Sequence, residues 1–377
     1  MNWRKSIIIA LCSIVVLCTA CHGDNPHNDE PRLPETPTET PNSPDNPTPT
    51  PSDSTSTEPS SPADTTDVPN TPIVDISNIT QTLCNPDAST QASQLYTLML
   101  ADYGKKTYSG ITEPHINTTP LSDKIFNSTQ KRPKIVFYNL ENLHTDSLNN
   151  IENIIAHISA GGYVGYTWNW LTPASSTDNP QNYSADSPFS IAKALIDSNW
   201  EFQFLLSDIE KFAKHCDKLR QAGITVIFNP LASHNPNRWW TRKTALHFTE
   251  LWKLLYDQLA VRHQLNNLIW VWTAPAQHLN TPSTLTQWYP GDRYVDIIGV
   301  NLCESSTSIS QNDIYTTLHT TFEGKKMLAL SQCRHIPSTS SMWLYFNILP
   351  PASSTSTAPS IEEWSNILNN QHTISLP

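Results

Sequence analysis

The sequence predicts an α/β domain built on a parallel sheet, and two observations lead there. Short apolar runs alternate with amphipathic stretches through the last 300 or so residues, and eight such runs occur. Eight is the strand number of the closed (β/α)8 barrel. Periodicity alone leaves a doubly wound open sheet as the alternative.

The runs expected to form strands are 107–111, 134–138, 163–168, 224–228, 268–272, 295–301, 327–331 and 342–346. They are short and rich in β-branched and aromatic residues, as strands are. Helices are expected between them over 147–160, 208–222, 242–263, 310–322 and 361–370. In the third of these, Leu246, Leu251, Leu254, Leu255 and Leu259 recur near a helical period. Gly223 stands just before a strand, where a glycine typically ends a helix.

Ahead of this region lie two segments of different character. Residues 1–20 read as a lipoprotein signal peptide. Arg4 and Lys5 precede an apolar run, Ile7 to Leu17, which is too short to span a bilayer. The run ends in Leu17-Cys18-Thr19-Ala20-Cys21, which resembles a bacterial lipobox with Cys21 as the lipidated residue. Cys18 stands where a Leu is usual, so an ordinary secretory signal is the alternative. Residues 21–78 read as a disordered linker holding thirteen of the thirty Pro, among Thr, Ser, Asp and Asn, too polar to form a core. The folded domain is expected over 79–377, on a lipid-anchored tether outside the cytoplasm of a bacterial cell envelope and as a monomer.

The net charge of -11 and the absence of a basic cluster argue against a nucleic-acid partner. Past the signal, Cys84, Cys216, Cys303 and Cys333 form no C-x-x-C pair, and the 13 His show no H-E-x-x-H spacing. Neither a metal nor a cofactor is expected. Cys303 and Cys333 fall at the ends of neighbouring strands, where a bridge or two free thiols are both open.

In a (β/α)8 barrel, chemistry sits at the C-terminal strand ends. Those ends offer Thr112 and Glu113, Asn139 and Glu141, Trp168 to Trp170, Asn229, Ser233 and His234. They continue with Trp272, Asn301, Cys303 and Glu304, Gln332 and Trp343. Amides and indoles dominate the set. They suit sugar hydroxyls and ring faces, and neither exchanges a proton near neutral pH.

Longer motifs sharpen the reading. Trp288-Tyr289-Pro290-Gly291-Asp292-Arg293-Tyr294-Val295-Asp296-Ile297-Ile298-Gly299 resembles the Y-Y-P-G-D-x-Y-V-D-I-V-G segment of glycoside hydrolase family 26, the β-mannanases and their relatives. Asn267-Leu268-Ile269-Trp270-Val271-Trp272 resembles that family's N-L-I-W-V-Y strand. The resemblance runs from about Tyr108 to Trp343. It implies a (β/α)8 barrel and retaining hydrolysis of β-1,4-mannan or a related β-glycan.

Retaining hydrolysis needs one carboxyl group as acid/base and a second as nucleophile. The family carries the first in R-P-L-H-E-x-N, where this chain reads Asn229-Pro230-Leu231-Ala232-Ser233-His234-Asn235. The resemblance therefore places Ser233 at the acid/base position, and a serine hydroxyl cannot act as a general acid. The family carries the second in A-L-S-E-C-G-P-I-P, where this chain reads Ala329-Leu330-Ser331-Gln332-Cys333-Arg334-His335-Ile336-Pro337. Gln332 has the shape of a Glu without its charge and cannot form a glycosyl ester. Asn169, Asn301 and Cys303 replace a His, an Asp and a Tyr of the family pattern.

The expectation is a non-hydrolytic β-mannan- or β-glycan-binding barrel. Trp168, Trp239, Trp240 and Trp343 would stack on sugar rings. Asn169, Asn229, His234, Asn301 and Gln332 would bond hydroxyls. Two alternatives stand beside it. One is an active endo-β-1,4-mannanase using Glu304, Glu141 or Glu113. The other is a surface scaffold or adhesion protein that binds no sugar.

Overall fold

The computed structural model describes residues 74–113, 120–140, 143, 151–233, 235–303, 310–337, 343–350 and 358–377. The signal, Cys21 and the linker up to residue 73 lie outside the described residues, as do Glu141, His234 and Glu304. Val74, inside the stretch assigned to the linker, already packs against the buried core.

The eight expected runs form eight parallel strands. They are β1 (Thr107–Glu113), β2 (Ile135–Leu140), β3 (Tyr163–Trp168), β4 (Val226–Pro230), β5 (Leu268–Ala274), β6 (Ile297–Asn301), β7 (Met327–Cys333) and β8 (Tyr345–Ile348). Each pairs with the next, and β8 pairs back onto β1, with Tyr108 opposite Tyr345. The sheet is closed, so the open-sheet alternative falls away. Closure also removes edges that would otherwise invite pairing with another chain.

Side chains alternate between two apolar layers. Ile135, Phe137, Ile227, Ile269, Val271, Ile297, Ala329 and Tyr345 belong to the layer inside the barrel. Val136, Val164, Tyr166, Phe228, Trp270, Ile298, Val300 and Phe346 face the surrounding helices. Phe137 fills the centre because its neighbour on β3 is Gly165, where an added Cβ would fall 2.3 Å from the Phe137 ring.

Helix α1 (Thr90–Asp102), capped by Ser89 accepting from the Ala92 amide, was not expected from the sequence. Its Leu95, Tyr96 and Met99 join the inner layer with Tyr103 and close the N-terminal end of the barrel. Helices α2 (Leu121–Thr129), α3 (Ile151–Ser159), α4 (Trp200–Gln221), α5 (Ala245–Tyr256), α6 (Gln311–Thr321) and α7 (Ile361–Leu368) follow. A six-residue π turn, Asp257–Arg262, extends α5. Leu246, placed by periodicity on the buried stripe of α5, is exposed, while Leu251, Leu255 and Leu259 are buried. Gly223 ends α4 as expected: with φ 71° it lets Ile224 N–H reach Leu219 O and its own N–H reach Arg220 O.

The most legible motif does its work at the N-terminal end. Asp296, buried just before β6, accepts from the Trp270 amide at 2.7 Å and the Cys84 amide at 2.6 Å. Lys326 donates to the Val295 and Asp292 carbonyls. Burial raises the Asp296 pKa, opposed by those two amide bonds and by Lys326. The clasp ties β5, β6 and the chain before α1 together. Asp296→Ala is expected to lower unfolding stability by about 3 kcal/mol, because two buried amides lose their acceptor and the buried Lys326 ammonium loses a nearby opposite charge. Urea denaturation of the two proteins measures it.

A second buried polar pair makes the fold sensitive to acid. His215 of α4 bonds the Tyr166 hydroxyl at 2.6 Å, and burial, with a lesser contribution from Lys218, pushes its pKa down from 6.5 to about 4. The folded chain therefore holds fewer protons here than the unfolded chain between these values. The stabilisation is complete above pH 6.5 and is lost as pH falls toward 4. It amounts to about 3 kcal/mol. The melting temperature is expected to fall across this window, and His215→Gln to flatten that dependence.

Candidate functional site at the barrel mouth

The strands decide which side chains can reach the mouth. Six of the eight run two residues past the expected ends, to Glu113, Leu140, Pro230, Ala274, Cys333 and Ile348. The last inward positions are then Thr112, Asn139, Thr167, Asn229, Thr273, Asn301, Ser331 with Gln332, and Asn347. Every strand contributes a neutral polar group, and all except Asn139 are buried. On β7 the register against β6 shifts after Leu330, so Asn301 pairs with Gln332. This bulge turns Ser331 and Gln332 inward together.

Much of this ring is bonded to itself. Thr273 Oγ1 donates to Asn229 Oδ1 at 2.8 Å and lies 3.1 Å from Ser331 Oγ, which donates to the Val300 carbonyl. Asn347 Nδ2 donates to the Ser331 carbonyl, and its Oδ1 accepts from Thr112 Oγ1 at 2.9 Å. Asn301 Nδ2 donates to Gln332 Oε1 at 2.7 Å, and Asn301 Oδ1 accepts from the Cys303 amide. Thr273 and Asn347, absent from the expected site, belong to it. Their polar identities at the ends of apolar runs were the signal.

Ser233 lies past a tight turn in which Leu231 takes a left-handed φ of 56°. The Ser233 hydroxyl accepts from the Asn235 amide at 3.3 Å and Arg238 Nε at 3.4 Å. Arg238 is also ion-paired to Asp186, and Trp240 Nε1 donates to the Ser233 carbonyl. The loop is thus fixed by Trp240, and a cation faces the hydroxyl.

The indoles do not form open platforms. Trp168 points outward, stacked on Trp170 at 4.2 Å and on Phe212 of α4 at 5.0 Å. Trp239 is edge-on to Trp170 and donates to the Trp170 carbonyl. Trp343 precedes β8, at the opposite end of the barrel, against Tyr315 of α6. All four expected stacking residues, Trp168, Trp239, Trp240 and Trp343, have no exposed surface. Trp343 was misplaced because β8 begins three residues later than its apolar pattern suggests. The other three are aromatic packing around the third and fourth strand ends.

Of the substitute carboxylates, Glu113 faces outward and is engaged as a helix cap. It accepts from the Leu121 and Ser122 amides at 2.5 and 3.0 Å and from the Ser122 hydroxyl. A cavity of about 210 Å³ beside it, lined by Tyr138, Arg132 and His157, opens on the outer wall between α2 and α3. Among the described residues no three His, Cys, Asp or Glu side chains converge as a metal site. No disulfide joins Cys303 and Cys333, and burial, with Cys303 nearby, pushes the Cys333 thiol pKa up.

With this geometry in place, comparison with known proteins is informative. Residues 84–372 match the family model described as glycosyl hydrolase family 26. A mannan endo-1,4-beta-mannosidase of Thermothelomyces thermophilus is 29% identical over 290 residues, 72% of this chain and 57% of the relative. This chain spans about half the length of the curated relatives it matches. The family 26 domain of a Prevotella bryantii endo-beta-mannanase/endo-beta-glucanase superposes with a TM-score of 0.69 at 26% identity, covering 78% of this chain and 98% of that one. A Podospora anserina β-(1,4)-mannanase gives a TM-score of 0.67 at 27% identity, covering 79% and 68%. The closed eight-stranded sheet, the Asp296 clasp and the matched span together assign this chain to glycosyl hydrolase family 26.

Proposed function

We propose that this family 26 barrel binds a β-mannan or related β-glycan without cutting it. The observation that carries the reading is the neutral ring at the mouth: no inward strand end among the described residues bears a carboxylate. Cleavage by the retaining route needs a proton donor and an anion facing one another across the bond. Gln332 instead accepts a hydrogen bond from Asn301, and Ser233 accepts one from Arg238. Neutral amides and hydroxyls match sugar hydroxyls in chemistry while supplying none of the charge stabilisation that a transition state requires. The mannanase relatives make mannan the first ligand to try. The lipidated Cys21 and the linker would display the barrel outside the cytoplasm.

One observation favours a second reading, a surface scaffold that binds no sugar. The four indoles expected to hold sugar rings are packed away, so none of them presents a face for stacking.

The test uses the purified full chain. Mannan cast into a native gel is expected to retard it, and incubation with mannan to release no reducing ends. Release of reducing ends that Glu304→Gln or Glu141→Gln abolishes would establish an active mannanase instead. Neither retardation nor cleavage would leave the scaffold.

A further inference from the structure

Two thiols share the mouth end of β6 and β7. Asn301 of β6 lies opposite Gln332 of β7, and the Leu302 amide donates to the Gln332 carbonyl at 2.9 Å. Cys333 is the residue directly after that rung on β7, and Cys303 is the second residue after it on β6. Positions one strand across and one residue along are about 6 Å apart, given the spacing of strands and the rise of a residue. A disulfide spans Cα atoms about 4.4–6.8 Å apart. The Cys303 amide also donates back to Asn301 Oδ1 at 2.8 Å, which turns the chain over its own strand end and keeps Cys303 near the rung. Cys303 is close enough for its charge to bear on the Cys333 thiol.

The other two thiols of the domain are placed differently. Cys84 lies beside Asp296 at the opposite end of the barrel, and Cys216 is enclosed where α4 packs on the sheet. The resemblance to family 26 accounts for one member of the mouth pair only. The family segment carries a cysteine at the Cys333 position but a Tyr at that of Cys303, so the pairing belongs to this chain.

We propose that Cys303 and Cys333 are a redox-responsive pair, which a small-molecule disulfide closes into a covalent bridge between β6 and β7. Cys303 is the half-exposed member and Cys333 is 3% exposed, so the oxidant meets Cys303 first. The Cys303 thiolate attacks one sulfur of the oxidant, a mixed disulfide forms, and one thiol leaves with the Cys303 proton. Cys333 then displaces the second thiol from Cys303 Sγ, and that thiol takes the Cys333 proton. Two protein thiols are oxidised by two electrons and one disulfide is reduced to two thiols. The cost within the fold is small: the Cys333 thiol gives up a weak bond to the Asn347 carbonyl at 3.4 Å. Closure places a covalent link beside the Asn301–Gln332 hydrogen bond, so the two strand ends can no longer part.

The test treats the purified full chain with oxidised glutathione or with dithiothreitol. Each sample is unfolded in iodoacetamide and digested with trypsin without further reduction. Cleavage at Arg293, Lys325, Lys326 and Arg334 puts Cys303 in peptide 294–325 and Cys333 in peptide 327–334. Mass spectrometry is expected to find these two joined after oxidation and separately alkylated after reduction, with Cys84 and Cys216 alkylated in both samples. The oxidised protein is expected to melt about 5 °C above the reduced one. Cys303→Ser and Cys333→Ser are each expected to remove both the joined peptide and the difference in melting. Recovery of both peptides alkylated after oxidation overturns the proposal, as does glutathione held on Cys303 while Cys333 stays alkylated. So does a link from either thiol to Cys84, to Cys216 or to a second molecule.

Discussion

Alternation along the strands of a closed barrel is the constraint on which the rest depends. Once β8 pairs with β1, every strand has an inside and an outside, and no side chain can change sides without a bulge. Tyr166 and Trp168 are thereby committed to the helix layer, and Thr167 to the interior. The same parity sends Glu113 outward to the first turn of α2, where it meets amides that the helix itself leaves unpaired. The single irregularity is on β7, and it is what brings Gln332 round beside Asn301. The chemistry available at the mouth was therefore selected by backbone register before any side chain was considered.

Scaffold and chemistry are separated along the barrel axis. The segment through which the family is recognised, Trp288 to Gly299, builds the clasp below β6, with Gly291 at φ 108° and Asp296 buried under Trp270. In such barrels the lower face governs stability and the upper face governs reaction. A chain can keep the first while the second changes, and here the Asp296 clasp stands beneath strand ends that, among the described residues, turn only neutral polar groups inward.

How much could be read in advance follows the same physics. The eight strands were legible because their apolar cores repeat, and β3 and β6 ended where expected. Six others ran on because Thr112, Asn139, Asn229, Thr273, Gln332 and Asn347 look like loop residues in sequence. In the barrel their polar groups face inward, where neighbouring strands can bond them. Helix α1 was invisible for a different reason: its Tyr96 and Met99 face the barrel bottom, a surface that exists only after closure. The indoles misled because Trp is equally at home in a core and against a sugar. Sequence gave their number, and only parity gave their direction.

The neutral character of the described inward strand ends has an energetic side. A buried carboxylate needs several strong donors or a cation to offset its lost hydration, and removing one such partner leaves a costly charge. Amides carry no such debt. Asn301 and Gln332 each supply what the other accepts, at 2.7 Å, and Thr273 can serve Asn229 while lying beside Ser331. A ring of this kind relaxes toward mutual satisfaction, whereas a catalytic one must be held in tension by charges of opposing task. Around β5 to β8 the inward polar groups at the mouth are bonded largely to one another. Thr167 Oγ1 and Asn229 Nδ2, on β3 and β4, lack a partner within the fold, which packing alone does not explain.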